Sequence, residues 1–112
     1  MTIYVTKKQR LDLGHSGENL ARRFAFDISA WLSAYGTGGT LVLRCKRYGD
    51  TTPYSASELT LSGSYAVWTV TDDDVASPGA GGVELQYLIG NVVVKSDIYP
   101  TCVAASLPSP AV

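Results

Sequence analysis

Few residues in this chain have the types and spacing that chemistry at a protein site requires. Asp72, Asp73 and Asp74 form a run of three carboxylates, and carboxylate oxygens are ligands that Ca²⁺ prefers. Adjacent side chains cannot all point at one ion, however, and the spaced ligands and distal Glu of a calcium loop are missing. Acids also stabilise the start of a helical turn. We therefore predict no metal site, and a single helical turn over Thr71–Ala76 capped by Thr71 or Asp72.

The single histidine, His15, stands beside Ser16 and Glu18, which in composition resemble parts of a hydrolase triad. A triad depends on the geometry that a supporting fold gives its members, and not on their closeness in sequence. The sequence has no Gly-x-Ser-x-Gly elbow, and the run from Gly14 to Gly17 is better explained as a loop. We predict no catalytic residue and no enzymatic activity; a pocket holding His15 beside a carboxylate would favour the opposite conclusion.

Charge and hydropathy argue against several classes of partner. The net charge of −1 creates no long-range field that would attract nucleic acid or an anionic membrane. Apolar runs are too short to span a bilayer, and the N-terminus lacks the apolar region of a signal peptide. The glycines after residue 35 are not followed by the Lys-Ser/Thr of a phosphate loop. We predict no cofactor, no nucleic acid and no membrane partner, with synthesis and folding in the cytoplasm.

The two cysteines, Cys45 and Cys102, are too few for a disulfide framework and lack metal-ligand spacing. Cys45 falls in register with Leu41 and Leu43, which indicates a buried position in a strand. A bridge would require the fold to bring the two thiols together, and a cytoplasmic protein rarely keeps one. We predict that both cysteines are reduced.

Aromatic residues suggest one binding chemistry. Tyr48 and Tyr54 flank the Gly49–Pro53 turn, and exposed tyrosine rings stack on sugars. A carbohydrate-binding module that contacts a glycan through these two residues is therefore an alternative function. Packing at the rim of the fold is the favoured explanation of both rings.

The elements that must position these residues are strands. Gly90-Asn91 separates two apolar-alternating runs, as a two-residue hairpin loop requires. Counting outward pairs Ile89 with Val92, and the same register predicts the pairs Tyr87–Val94, Leu85–Ser96 and Val83–Ile98 on the core face. Leu88–Val93, Gln86–Lys95 and Glu84–Asp97 then lie on the other face.

The remaining strands are predicted from alternation and turn residues. They are Thr2–Thr6, Leu20–Ile28, Thr40–Tyr48, Ser57–Leu61 and Tyr65–Thr71. A short helix is predicted over Asp27–Tyr35, a loop over Leu11–Asn19, and a glycine-rich connection from Pro78 to Gly82. These elements predict an all-β, immunoglobulin-like two-sheet antiparallel β-sandwich with one or two short helical turns, with a small barrel as the alternative.

One domain is predicted over residues 1–104, with an extended C-terminal tail over residues 105–112. The parity of the strands predicts a core made of aromatic and branched aliphatic side chains. Its members are Phe24, Phe26, Leu41, Leu43, Trp68, Val70, Leu85, Tyr87 and Val94.

Four blocks of sequence carry a resemblance to a known family. They are GENLARRFAFDISAWLSAYGTGG, RYGDTTPY, WTVTDDDVASPGAGGVELQY and VVVKSDIYPTCV. In this order they resemble small phage and prophage tail-associated proteins of gut Firmicutes, of the upper-baseplate-like kind. The resemblance covers about residues 3–103. It implies a structural protein of the virion tail that binds other copies of itself or neighbouring tail proteins, and it supplies no catalytic residue.

The location of apolar residues on outward positions predicts how such a protein would work. Leu88 and Val93 pair on the side of the hairpin away from the core, and Val42 and Val67 occupy outward positions on other strands. Charged residues make up only 17% of the chain, below the usual fraction of about 25%. We predict that these four residues form an interface for self-association, in a closed symmetric form, or for docking.

Overall fold

A computed structural model describes residues 1–6 and 9–107 and shows ten strands and one helix. The helix, α1, spans Ser29–Tyr35. The strands are β1 (Thr2–Tyr4), β2 (Leu11–His15), β3 (Arg23–Asp27), β4 (Thr40–Lys46), β5 (Tyr54–Ser55), β6 (Leu59–Ser62), β7 (Tyr65–Thr69), β8 (Gly79–Ile89), β9 (Val92–Lys95) and β10 (Tyr99–Ala104). Residues 105–107 form no regular element. The rest of the predicted tail, residues 108–112, lies outside the described residues.

The strands form two sheets, which confirms the predicted all-β sandwich. The first sheet has the order β1-β3-β7-β6, and the second has the order β2-β10-β8-β4-β5 with β9 also paired to β8. Most neighbours are antiparallel, but β1 pairs with β3 and β2 pairs with β10 in parallel. The chain passes from the first sheet to the second between β1 and β2, and it returns to the first sheet at β3.

The core lies between the sheets around Trp68, which is fully buried. Its ring packs on Phe24 with a centroid separation of 5.7 Å. Seven of the nine predicted core residues are buried, namely Phe24, Phe26, Leu43, Trp68, Val70, Leu85 and Tyr87. Leu41 packs against the core but is partly exposed, and Val94 is only partly buried because β9 lies at a sheet edge.

The predicted helix is confirmed, and it covers one end of the sandwich. Trp31 and Leu32 are its two residues that pack against the core, and the Trp31 ring stacks on Tyr87 with centroids 6.3 Å apart. The Tyr87 hydroxyl donates to the Gly36 carbonyl over 2.7 Å and accepts the Gly39 N–H over 3.1 Å. This buried tyrosine therefore holds the glycine-rich loop that follows α1.

Two predictions near the N-terminus are wrong. The predicted Leu11–Asn19 loop contains β2, because Leu11 and Leu13 are buried on one face and the strand pairs with β10. Gly14 does not mark a loop; it lies near the end of β2 with φ +96°. The next strand is predicted to begin at Leu20, but Leu20 precedes β3 with φ +60° and is 57% exposed.

The predicted connection from Pro78 to Gly82 is also wrong, because β8 begins at Gly79. A Cβ on Gly81 would collide with the Lys46 carbonyl oxygen, so a side chain has no room there. The glycines therefore serve close packing of strands. The prediction also missed β5, a two-residue strand paired with β4.

The hairpin register is confirmed from Ile89–Val92 to Gln86–Lys95, and the Ser96 N–H donates to the Leu85 carbonyl over 2.8 Å. Beyond this point the register shifts, because Val83 pairs with Tyr99 and not with Ile98. The predicted Glu84–Asp97 and Val83–Ile98 pairs are therefore wrong. An extra residue between β9 and β10 acts as a bulge, which leaves Ile98 69% exposed.

Candidate functional site

Three of the four predicted interface residues lie together on the outer face of the second sheet. Leu88 on β8 is directly opposite Val93 on β9. Val42 on β4 pairs with Gln86, so it lies diagonally across from Leu88. Val93 is 54% exposed, whereas the other two are half-buried. We call Val42, Leu88 and Val93 the apolar stripe; it crosses three neighbouring strands.

The fourth predicted interface residue, Val67, lies on β7 in the first sheet. It pairs there with Ala25 and Thr60. Its inward neighbours Ala66 and Trp68 are buried, so its side chain lies on the outer face of that sheet. The structure therefore does not bring Val67 together with the apolar stripe, and the four residues do not form one surface.

A groove with a volume of about 580 Å³ lies on the outer face of the second sheet, at the opposite end of β4 from the stripe. No side chain fills its floor on β8, because the outward residue there is Gly82, which pairs with Lys46. Ile98 forms one wall, since its Cγ2 lies 3.1 Å from where a Gly82 Cβ would stand. Tyr48, 64% exposed, lines the groove and rests against Gly79.

The second predicted sugar-contacting residue, Tyr54, is differently placed. Its hydroxyl donates to a carboxylate oxygen of Asp74 over 2.6 Å, and the Arg47 guanidinium lies 4.4 Å from its ring centroid. One face and the hydroxyl of Tyr54 are thus occupied within the protein. Of the two tyrosines, Tyr48 is the one that lines the groove.

Asp74 has a buried structural role that the sequence analysis did not predict. It is 3% exposed, and its carboxylate accepts hydrogen bonds from Tyr54, from the Trp68 indole N–H over 3.2 Å, and from the Thr71 N–H and hydroxyl over 2.9 and 3.1 Å. The signal was the spacing Thr71-x-x-Asp74, in which an acid reaches back to a backbone N–H three residues earlier. Asp74 therefore joins three parts of the core through neutral donors.

The predicted helical turn at this place is wrong. The segment after β7 forms turns, with the Asp74 N–H bonded to the Thr71 carbonyl over 3.0 Å and the Ala76 N–H to the Asp73 carbonyl over 3.3 Å. The acid that satisfies a backbone donor of Thr71 is Asp74, and Asp72 and Asp73 are exposed. Within residues 1–6 and 9–107, no cluster of His, Cys, Asp or Glu is arranged to hold a metal ion.

Burial around Asp74 shifts the pKa of two neighbours. Burial first, and then the hydrogen bond to Asp74, raise the pKa of Tyr54 well above its usual range. Burial, and then the charge of Asp74, raise the pKa of the Cys45 thiol to about 12. Neither group ionises near neutral pH, so Cys45 is a poor nucleophile and Tyr54 remains a donor.

The structure places His15 beside Glu18, with Nδ1 3.0 Å from a carboxylate oxygen. The same carboxylate accepts the His15 backbone N–H, and this bond is the main cause of a lowered pKa for Glu18. The His15 side chain is 58% exposed, so the pair lies at the surface. Ser16 uses its N–H to bond the Ala104 carbonyl over 2.9 Å. The contacts between His15 and Glu18 therefore close the turn that follows β2.

The two cysteines are expected to differ in reactivity. Both are free, with Cys45 buried and Cys102 partly exposed. We expect native protein at pH 8 to be alkylated quickly at Cys102 and at Cys45 only after unfolding, because the Cys45 thiolate is disfavoured. Intact-mass spectrometry after iodoacetamide treatment measures this.

Matched variants provide the control for this labelling. Cys102→Ser should remove the fast adduct, and Cys45→Ser should leave it. Equal labelling rates of Cys45 in folded and unfolded protein would contradict the expectation. Finding fewer than two free thiols in unfolded protein without reductant would contradict the prediction that both cysteines are reduced.

Comparisons with known proteins show a fold and no family. No protein-family model matches the chain, and no curated protein matches it. Among solved structures, it is similar to the N-terminal domain of ORF48 of phage TP901-1, with a TM-score of 0.53. The match covers 92% of this chain and 94% of that chain, at 8% sequence identity. The chain shares the fold of a phage protein's domain. At this identity, the likeness shows the fold alone.

Nothing in residues 1–6 and 9–107 forms a helix with the length and apolar character needed to cross a membrane.

Proposed function

We propose that this chain is a non-enzymatic structural or assembly protein of a phage or prophage tail, of the upper-baseplate-like kind, and that it works by protein–protein contact in the virion. The observation that carries the proposal is the fold shared with a phage protein's domain over nearly the full length of both chains. The four sequence blocks described above support the same conclusion independently. Fold alone does not determine function, so the proposal depends on the two together.

The apolar stripe supplies a surface for such contacts. Val42, Leu88 and Val93 are aligned on strands that pair directly, and a contiguous apolar patch typically marks an interface. Val93 is more than half exposed. The residues between its members, Thr40 and Gln86, are uncharged, and the charge beside Val93 belongs to Lys95, which is exposed and pairs with Gln86.

Deleting the gene in the phage or induced prophage that carries it tests the proposal. We expect particles with incomplete tail tips by negative-stain electron microscopy, and a loss of infectious titre. Wild-type protein supplied in trans should restore both. The double variant Leu88→Glu, Val93→Lys should not, because charges then replace the stripe.

The matched control is Thr60→Lys, an exposed substitution on the other sheet, which should restore tails like the wild type. The thermal midpoint of each purified variant should stay near that of the wild type, since these side chains lie outside the core. Complete, infectious particles without the gene would overturn the proposal.

A second candidate function, binding of a bacterial surface glycan, is favoured by one observation: exposed Tyr48 lines the groove of about 580 Å³. Pull-down of the protein with purified host cell-wall polysaccharide tests it. Tyr48→Ala should abolish retention, whereas Tyr35→Ala, an exposed tyrosine on α1, should leave it unchanged. Equal retention of both variants would argue against this candidate.

A further inference from the structure

The edge of the second sheet has a gap next to β9, which we call the notch: β2 lies beside β10, and no described strand lies beside β9. Both β9 and β10 pair with the same side of β8, since β4 occupies its other side. β2 lies next to β10, but among residues 1–6 and 9–107 no strand occupies the same row next to β9. Along Val92–Lys95 the outer edge of β9 therefore has no partner among the described strands.

The hairpin register shows which backbone groups face that edge. The Ser96 N–H bonds to the Leu85 carbonyl, and hydrogen-bonded positions alternate along an antiparallel pair. Val92 and Val94 therefore direct their backbone groups to β8, whereas Val93 and Lys95 direct theirs outward. An edge of this kind is a template for another strand.

Other edges of the fold are better protected. β5 has two residues and β1 has three, so each offers fewer outward backbone groups than the four-residue β9. The pairing of β2 is interrupted by a register shift, and the strand carries Asp12 at an exposed position. β6 contacts β4 of the opposite sheet. β9 instead exposes Val92 by 41% and Val93 by 54%, with one charge, on Lys95.

We propose that two copies of this chain pair antiparallel through β9, so that the second sheet continues across a two-fold axis. The strand is self-complementary. With Val93 opposite Val93 of the second copy, Val92 meets Val94, and Lys95 meets Asn91 rather than another lysine. The apolar stripe then runs unbroken from Val42 of one copy to Val42 of the other.

This inference rests on the proposed function, because it names the partner of the apolar stripe. It adds a mechanism that the stripe alone does not supply. Main-chain hydrogen bonds across the axis fix the register and the two-fold symmetry. Burial of the paired valines stabilises the contact.

The sharpest test changes one outward N–H. Lys95→Pro removes a donor that faces the notch and leaves the hydrogen bonds to β8 intact, since proline is tolerated at such edge positions. Lys95→Ala removes the same charge and keeps the donor, and is the matched control. By multi-angle light scattering over a concentration series, we expect wild type and Lys95→Ala to dimerise. For Lys95→Pro the dissociation constant should rise roughly tenfold or more.

Cross-linking provides a second readout that does not depend on the proline variant folding. In a Cys102→Ser background, Val93→Cys should form a disulfide-linked dimer on mild oxidation, because facing residues at the axis lie within disulfide range. Thr60→Cys, on the other sheet, should not. A wild type that is monomeric at all concentrations, or an undiminished Lys95→Pro dimer, would overturn the pairing.

The two proposals fail separately. A monomeric wild type overturns edge pairing and leaves the tail role untouched. Complete particles formed without the gene overturn the tail role and leave edge pairing untouched.

Discussion

Replacing Trp68 by alanine is expected to lower the free energy of unfolding by about 3–5 kcal/mol. The side chain is fully buried between the sheets and packs on Phe24, so truncation leaves a large cavity. It also removes the indole N–H that donates to Asp74. Urea denaturation followed by far-ultraviolet circular dichroism measures the loss.

Two further variants separate the causes of this loss. Trp68→Phe keeps most of the apolar volume but removes the N–H, and should cost less than Trp68→Ala. Trp31→Ala truncates the other tryptophan, which is only partly buried on α1, and should also cost less. A Trp68→Ala variant within about 1 kcal/mol of wild type would contradict the central position of this residue, since Trp truncation in a core costs at least about 3 kcal/mol.

Replacing Asp74 by alanine is expected to lower the free energy of unfolding by roughly 3 kcal/mol or more. The substitution leaves several buried donors without an acceptor, and each buried unsatisfied group costs about 1–3 kcal/mol. The affected donors belong to Tyr54, Trp68 and Thr71. Equilibrium urea unfolding at neutral pH measures the change. The matched control is Asp73→Ala, the exposed neighbour in the same acidic run, which should fall within about 0.5 kcal/mol of wild type.

A double-mutant cycle with Tyr54→Phe tests the network itself. Tyr54→Phe removes the donor of the 2.6 Å bond to Asp74 and should be less costly than Asp74→Ala. Because the two side chains share one hydrogen bond, their effects should not add. Equal and additive losses of stability for Asp73→Ala and Asp74→Ala would contradict a special role of Asp74 in the core.

Several elements are determined by the sequence itself, because their signals are local. Gly90-Asn91 between two alternating runs determines the β8–β9 hairpin and its register as far as Lys95. The three- and four-residue recurrence of apolar residues determines α1. Within a strand, period two determines which side chains face inward, and Phe24, Leu43 and Trp68 are buried accordingly.

The tertiary structure alone decides what depends on distant partners. β2 is a strand because β10 pairs with it, although its Gly14 is typical of a loop. Gly81 lies within β8 because it pairs with Thr101 of β10, and the Lys46 carbonyl approaches too closely there for any side chain. Parity places Val67 on an outward position, but only strand order places it on the sheet opposite Leu88. Among three identical adjacent acids, only Asp74 enters the core, because the donors that satisfy its carboxylate include Tyr54, distant in sequence. A local pattern depends on neighbouring residues, whereas the positions of β2, Gly81, Val67 and Asp74 depend on contacts between residues far apart in the chain.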